Sequence, residues 1–211
     1  VIRAMIRRVL RCGAVIVQNP DDAAVVRDLG VSEKCVHTIR GSGVDLTRFR
    51  PGPEADGVPV VVFAARMLHD KGVNEFVAAA RMLRAAGVQA RFVLVGDTDP
   101  GNPAAVSTER LTEWKHEMVV EWWGRREDMP VVFAGCHIVC LPSYYREGLP
   151  KVLIEAAACG RPIVTTNVTG CRETVRHEEN GLLVPPRDAV ALAKALRLLI
   201  ENQDMRQRMG Q

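Results

Sequence analysis

Short apolar runs and longer amphipathic stretches alternate along the whole chain. The runs near 14–18, 36–40, 60–66, 91–96, 119–123, 137–141, 162–166 and 182–184 are strand-sized and rich in Val, Ile, Leu and Phe. Continuous apolar character of this kind marks strands buried on both faces. The intervening stretches read as helices near 1–11, 20–29, 73–86, 108–117, 127–135, 150–159, 171–175 and 188–202. This βαβα order predicts an α/β fold, a mostly parallel sheet with helices on both faces. The Pro- and Gly-rich segment Arg50-Pro51-Gly52-Pro53-Glu54-Ala55-Asp56-Gly57 is the best linker candidate and divides a leading piece from a main domain.

The densest chemistry lies in Glu147-Gly148-Leu149-Pro150-Lys151-Val152-Leu153-Ile154-Glu155. Pro150 fits a first helical position, where a missing N–H costs nothing, and 152–158 continue an apolar helix that must pack on a sheet. Unpaired backbone N–H groups therefore gather near Gly148 and Leu149, and such a helix start attracts phosphate. Carboxylates beside a bound phosphate would repel it, so Glu147 in the loop and Glu155 on the helix need another task. Accepting hydrogen bonds from vicinal hydroxyls suits them. A nucleotide sugar, with phosphate between two polyols, satisfies every group. Taken alone, two glutamates around a helix start are also common solvated surface residues. What favours a ligand is a second cluster: the apolar run Val60-Val61-Val62-Phe63-Ala64-Ala65, then Arg66-Met67-Leu68-His69-Asp70-Lys71-Gly72, then a helix over 74–86. Ligands of open parallel sheets bind at the carboxyl ends of strands, so Arg66 and Lys71 are placed to hold phosphate.

The 66–72 run, the loop at Gly96-Asp97, Trp123-Gly124-Arg125, Leu141-Pro142-Ser143, the paired glutamates and Asn180-Gly181-Leu182-Leu183-Val184 follow a recognisable order. Over residues 59 to 202 the chain resembles family 4 retaining glycosyltransferases. The resemblance implies the GT-B fold, two Rossmann-like domains facing across a cleft. This chain would supply the C-terminal, nucleotide-sugar-binding half and a remnant of the other. Carried over by position, the family's phosphate-binding Arg and Lys fall on Arg66 and Lys71. Glu147 would contact the donor sugar, and the Gly148 and Leu149 N–H groups the distal phosphate. Glu155 would hold the ribose hydroxyls, and the base would rest against backbone near Gly124 and Arg125. Arg66, Lys71 and Glu147 are thus the expected catalytic groups, with the leaving phosphate braced by the two cations. The wording Tyr144-Tyr145-Arg146-Glu147-Gly148-Leu149-Pro150-Lys151 is similar to the subgroup that extends bacterial surface polysaccharides on lipid carriers. In the family's terms, residues 1–50 are the tail of a truncated N-terminal acceptor domain, 51–58 a linker and 59–211 the donor domain. Gly41-Ser42-Gly43-Val44-Asp45 matches the crossing into the linker. The chain starts at Val1 without Met and stops at Gln211, so it is expected to be a fragment that transfers no sugar by itself.

Composition narrows the partners. Hydrophobic residues at 47% are ample for a core, and no apolar run reaches the ~18 residues needed to cross a bilayer. The opening segment is basic and amphipathic, without a cleavage-site pattern. The six cysteines, at 12, 35, 136, 140, 159 and 171, form no C-x-x-C pair. Buried free thiols in a reducing compartment account for them better than zinc or disulfides. A net charge of +3, spread along the chain, and aromatics at 5% do not suggest nucleic acid. Arg3, Arg7, Arg8 and Arg11 share one side of the opening helix, either as a solvated face or as a contact for anionic lipid or a lipid diphosphate. Gly41-Ser42-Gly43 begins like a dinucleotide fingerprint, but Leu46 stands where a third glycine is needed. Asp97-Thr98-Asp99 matches a metal-binding D-x-D. A pattern that short arises often by chance, and a Pro-Gly turn follows it. No metal is expected, because Arg66, Lys71 and a helix dipole can neutralise a diphosphate.

The reading is a glycosyltransferase domain in polysaccharide biosynthesis. It would bind a UDP-sugar, or else a GDP-sugar, and need no other cofactor. It would pass a hexose or N-acetylhexosamine with retention to a glycan or lipid-linked acceptor. The expected placement is cytoplasmic, peripheral on the inner face of the membrane through the N-terminal domain. A sugar-nucleotide epimerase or phosphorylase of the same fold, and a non-catalytic nucleotide-binding module, are the alternatives.

Overall fold

The computed structural model describes residues 2–10, 13–41 and 43–211. In the leading segment, α1 (Ile2–Leu10), β1 (Val15–Val17), α2 (Pro20–Asp28) and β2 (Val36–Thr38) follow in order, and the two strands pair in parallel. The main sheet is built from β3 (Val60–Ala64), β4 (Arg91–Val95), β5 (Glu121–Trp122), β6 (Ile138–Leu141), β7 (Ile163–Thr166) and β8 (Gly181–Val184). Every pairing is parallel, in the order β5-β4-β3-β6-β7-β8. Between the strands run α3 (Val73–Ala85), α4 (Thr108–His116), α5 (Met129–Ala134) and α6 (Lys151–Ala158), and after the last come α7 (Ala189–Glu201) and α8 (Gln203–Met209). The α/β fold read from the alternation is the fold observed.

The central strands are buried throughout, as their unbroken apolar runs require. Val61, Val62 and Phe63 have no solvent contact, and Phe63, Phe76 and Phe92 stack in a chain with centroids 5.5 and 6.0 Å apart. This order has a consequence for ligands. From β3 the chain builds outward through β4 and β5, whereas β6 returns to the other side of β3 and builds through β7 and β8. The crevice above β3 and β6 is therefore the switch point at which such sheets bind ligands.

Two local expectations are corrected. Pro150 is the residue before the helix rather than its first member: its ψ of 112° is extended and α6 begins at Lys151. The helix expected over 171–175 is a single 3-10 turn, Cys171–Glu173, which Thr174 closes by donating from Oγ1 to the Cys171 carbonyl oxygen at 2.8 Å. The 51–58 segment is tied to the main domain by side chains. Arg161 donates to the Gly52 and Pro53 carbonyl oxygens at 3.3 and 3.0 Å, and Arg206 forms a buried ion pair with Glu54. Finally, α8 was absent from the sequence reading, its QDMRQRM stretch offering little apolar periodicity.

Cys136, Cys140, Cys159 and Cys171 are buried free thiols, as expected, while Cys35 is half-buried. Cys12 and Arg11 lie outside the described residues, as does Ser42. Of the basic face, Arg7 donates from Nε to the Leu29 carbonyl oxygen at 2.8 Å. No described helix is long and apolar enough to cross a membrane.

Candidate functional site

The end of β3 is fixed by a close approach. Gly96, at φ 137°, leaves β4 so near the end of β3 that a Cβ there would stand 1.9 Å from the Ala65 carbonyl oxygen. Arg66 follows at once and reaches Asp99, Nη1 to Oδ2 2.7 Å, with its side chain 62% exposed. Asp97 is engaged as well: its Oδ1 accepts the Arg125 N–H at 2.9 Å. The two aspartates of the D-x-D thus serve the cation and the loop beyond β5.

Lys71 ends a 3-10 turn, His69–Lys71, that Gly72 closes at φ 81°. A Cβ on Gly72 would lie 2.1 Å from the Pro142 carbonyl oxygen, so the loop after β3 presses against the loop after β6. Across this contact Lys71 Nζ donates to Glu147 Oε1, and both side chains are mostly buried, 17% and 14% exposed. Ser143 Oγ stands 3.0 Å from the same carboxylate oxygen and 3.1 Å from the Asp70 carbonyl oxygen, and Thr166 Oγ1 donates to the Ser143 carbonyl. These contacts set Glu147 in one orientation.

Glu155 sits on the first turns of α6, 13% exposed, with Lys151 Nζ 3.6 Å away. Desolvation pushes its carboxyl above the usual range, and Lys151 counters this in part. The loop before α6 carries the free amides: among the described residues, the N–H groups of Gly148 and Leu149 donate to no protein acceptor. Gly148 lies under the Gln18 side chain, whose Oε1 would stand 2.0 Å from a Cβ there. Asn19 Nδ2 donates to the Gly148 carbonyl oxygen at 3.0 Å. Arg146 pairs with Asp22 at 2.7 Å and Arg172 with Asp21, so the start of α2 lies against the loops after β6 and β7.

The predicted residues fall into two groups. Arg66, Arg125 and Glu155 line one cleft of about 600 Å³ with Asp97, Asp99 and Val152. Lys71 and Glu147 form their own ion pair in the crevice between β3 and β6, beside Gly148 and Leu149. Hollows of about 660 Å³ beside Arg84 and Trp122, and about 680 Å³ beside Pro53 and Arg206, lie elsewhere. In the first Arg91 pairs with Glu121, and in the second Arg206 with Glu54. The sequence reading missed Asn19, Gly170 and the pairing of Asp99 with Arg66. Asn-Pro-Asp-Asp at 19–22 is a legible helix start, but nothing local announces a bond to residue 148.

The sequence profile of the family described as Glycosyl transferases group 1 matches residues 46–211. This chain belongs to that family. It carries the GT-B C-terminal domain of the group, similar to bacterial polysaccharide-biosynthesis enzymes. It is 34% identical, over 89% of its length, to the N,N'-diacetylbacillosaminyl-diphospho-undecaprenol alpha-1,3-N-acetylgalactosaminyltransferase of Campylobacter jejuni. It spans about half of that relative, 51%. Among solved structures, sucrose-phosphate synthase from Thermosynechococcus elongatus superposes with a TM-score of 0.83 at 30% identity, covering 100% of this chain and 55% of the other. Anabaena Alr3699/HepE in complex with UDP superposes with a TM-score of 0.80 at 24% identity, covering 94% of this chain and 57% of that one, a likeness of fold.

Proposed function

We propose that the switch-point crevice binds a nucleoside diphosphate sugar, UDP-linked before GDP-linked. A longer protein containing this domain would transfer the sugar with retention to a glycan or lipid-linked acceptor. The observation that carries this reading is the pair of free amides at Gly148 and Leu149, on the loop after β6, together with Arg66 and Lys71 on the loop after the adjacent strand β3. Free N–H groups and two cations on the loops of adjacent strands suit a diphosphate. Glu155, on the cleft with Arg125, then takes the ribose hydroxyls, and the base lies against the backbone at Gly124 and Arg125. Glu147, fixed by Lys71 and Ser143, takes hydroxyls of the donor sugar. Negative charge develops on the leaving diphosphate, and Arg66, Lys71 and the amides stabilise it.

In this reading residues 1–50 belong to the acceptor-side domain, 51–58 join it to the donor domain at 59–211, and work on a lipid-linked acceptor is done at the inner face of the cytoplasmic membrane. The names of two relatives support the chemistry: the C. jejuni enzyme is a sugar transferase of a diphospho-undecaprenol substrate, and HepE was crystallised with UDP. Calorimetry of this chain with UDP, GDP, uridine and guanosine tests the site. A diphosphate should bind at least tenfold tighter than its nucleoside, in the high-micromolar to millimolar range, roughly −4 to −6 kcal/mol. Equal affinity for nucleoside and diphosphate would remove the phosphate assignment. Incubating the longer protein with UDP-N-acetylhexosamine and a lipid diphosphate acceptor tests transfer; an inverted anomeric product, or an epimerised donor without transfer, would replace the retaining-transferase reading.

A further inference from the structure

Asn19 is fully buried and uses both ends of its carboxamide. Its Oδ1 accepts the Asp22 N–H at 2.8 Å and so caps α2. Its Nδ2 donates to Asp22 Oδ2 at 2.8 Å and to the Gly148 carbonyl oxygen at 3.0 Å. Gly170 closes on the same peptide: at φ 83°, its Cβ would stand 2.7 Å from the Gly148 oxygen. The Gly148–Leu149 peptide is therefore held by its oxygen, while its nitrogen has no protein acceptor. In a planar trans peptide the C=O and the following N–H point in opposite directions, so whatever fixes the oxygen aims the Leu149 N–H.

We infer that Asn19 is a positioning residue for the phosphate site, an inference that rests on the nucleotide-sugar reading above. By holding the Gly148 oxygen it points the Leu149 N–H at the distal phosphate before any ligand arrives. The Asp22–Arg146 ion pair keeps the helix start and the loop together. An amide aimed in advance needs no ordering on binding, whereas a released loop loses conformational freedom when the anion arrives.

Two variants separate this role from helix capping. Asn19→Ser and Asn19→Asp both keep an oxygen for the Asp22 N–H, but the carboxylate has no donor and the single, shorter hydroxyl lacks the second arm that reaches Gly148. Calorimetry with UDP and with uridine should show UDP binding weakened about tenfold in both, the scale of one charge-assisted hydrogen bond, with uridine binding unchanged. Wild-type affinity for UDP in both variants overturns the inference, as does an equal loss for UDP and uridine. If the unaltered chain fails to distinguish UDP from uridine, the nucleotide reading falls first and this one with it. On the unaltered chain, UDP should also shift the Leu149 amide resonance in a ¹⁵N-labelled sample. No shift at Leu149 while UDP binds would overturn the inference even where both variants fold poorly.

Discussion

Lys71 and Glu147, 76 positions apart, meet as a mostly buried ion pair in the crevice between β3 and β6. Each is a group that the site reading gives to the donor, and each is held in place by the other. Removing Lys71 leaves the carboxylate, among the described residues, with Ser143 Oγ as its side-chain partner. Lys71→Ala should destabilise the chain by about 1–3 kcal/mol in urea unfolding, less than for a fully enclosed pair because both side chains keep some solvent contact. In the longer enzyme it should also lower turnover by about a hundredfold. Turnover near wild type would detach Lys71 from the chemistry.

The raised carboxyl of Glu155 has a pH consequence. The native state keeps this proton at pH values where the unfolded chain has released it. The stability that this group lends is thus fullest at low pH and is lost as pH rises from the ordinary carboxylate range through the raised folded value. Glu155→Gln should flatten melting temperature against pH just above that ordinary range while weakening UDP binding several-fold. A variant profile that overlays wild type would show that burial of this carboxyl carries no folding cost.

Gly170 is both left-handed and crowded, with a Cβ placed 2.5 Å from the Glu147 carbonyl oxygen. Gly170→Ala should cost about 1–3 kcal/mol from backbone strain alone, and more from the collision. Because the displaced segment carries Glu147 and Gly148, UDP binding should weaken in parallel. Gly101, with nothing within 4 Å of its Cβ, supplies the control, and Gly101→Ala should change neither quantity.

At the opposite end of the sheet, Arg206 and Glu54 are 5% and 8% exposed. Arg206 also donates to the Leu199 and Ile200 carbonyl oxygens at 2.7 and 2.9 Å, satisfying the last turn of α7. Arg206→Met strands a buried carboxylate and should cost about 3–5 kcal/mol; adding Glu54→Leu should recover part of it. Additive losses in the double variant would mean the pair is not coupled.

The contrast between these two ends explains what a reader of the sequence could see. Strand positions and the parallel order follow from unbroken apolar runs such as Val60-Val61-Val62-Phe63, because a strand buried on both faces must be apolar at every position. Arg66, Lys71, Glu147 and Glu155 stand out as candidates because each lies near a strand end or in the first turns of a helix that the same pattern marks. Partners that act across the fold were not. Glu54 reads as part of a Pro-rich linker, and its tie to Arg206 spans 152 positions. Gly170 reads as a turn glycine, since its requirement comes from backbone folded over it. Pro150 fits a helix start by its fixed φ, but ψ decides whether it lies inside, and that depends on the preceding loop.

Burial pushes the Cys136 thiol up to about 12 and the Cys171 thiol up to about 11, and Cys140 lies deeper in the sheet. Only the thiolate attacks an alkylating reagent, so these side chains stay silent at neutral pH, and of the described thiols Cys35 alone has appreciable solvent contact. A cysteine introduced on the rim of the cleft, at exposed Arg125, would therefore accept a fluorophore ahead of the buried native sulfurs. The molecule could then report its own occupancy as light, with its core chemistry left as it stands.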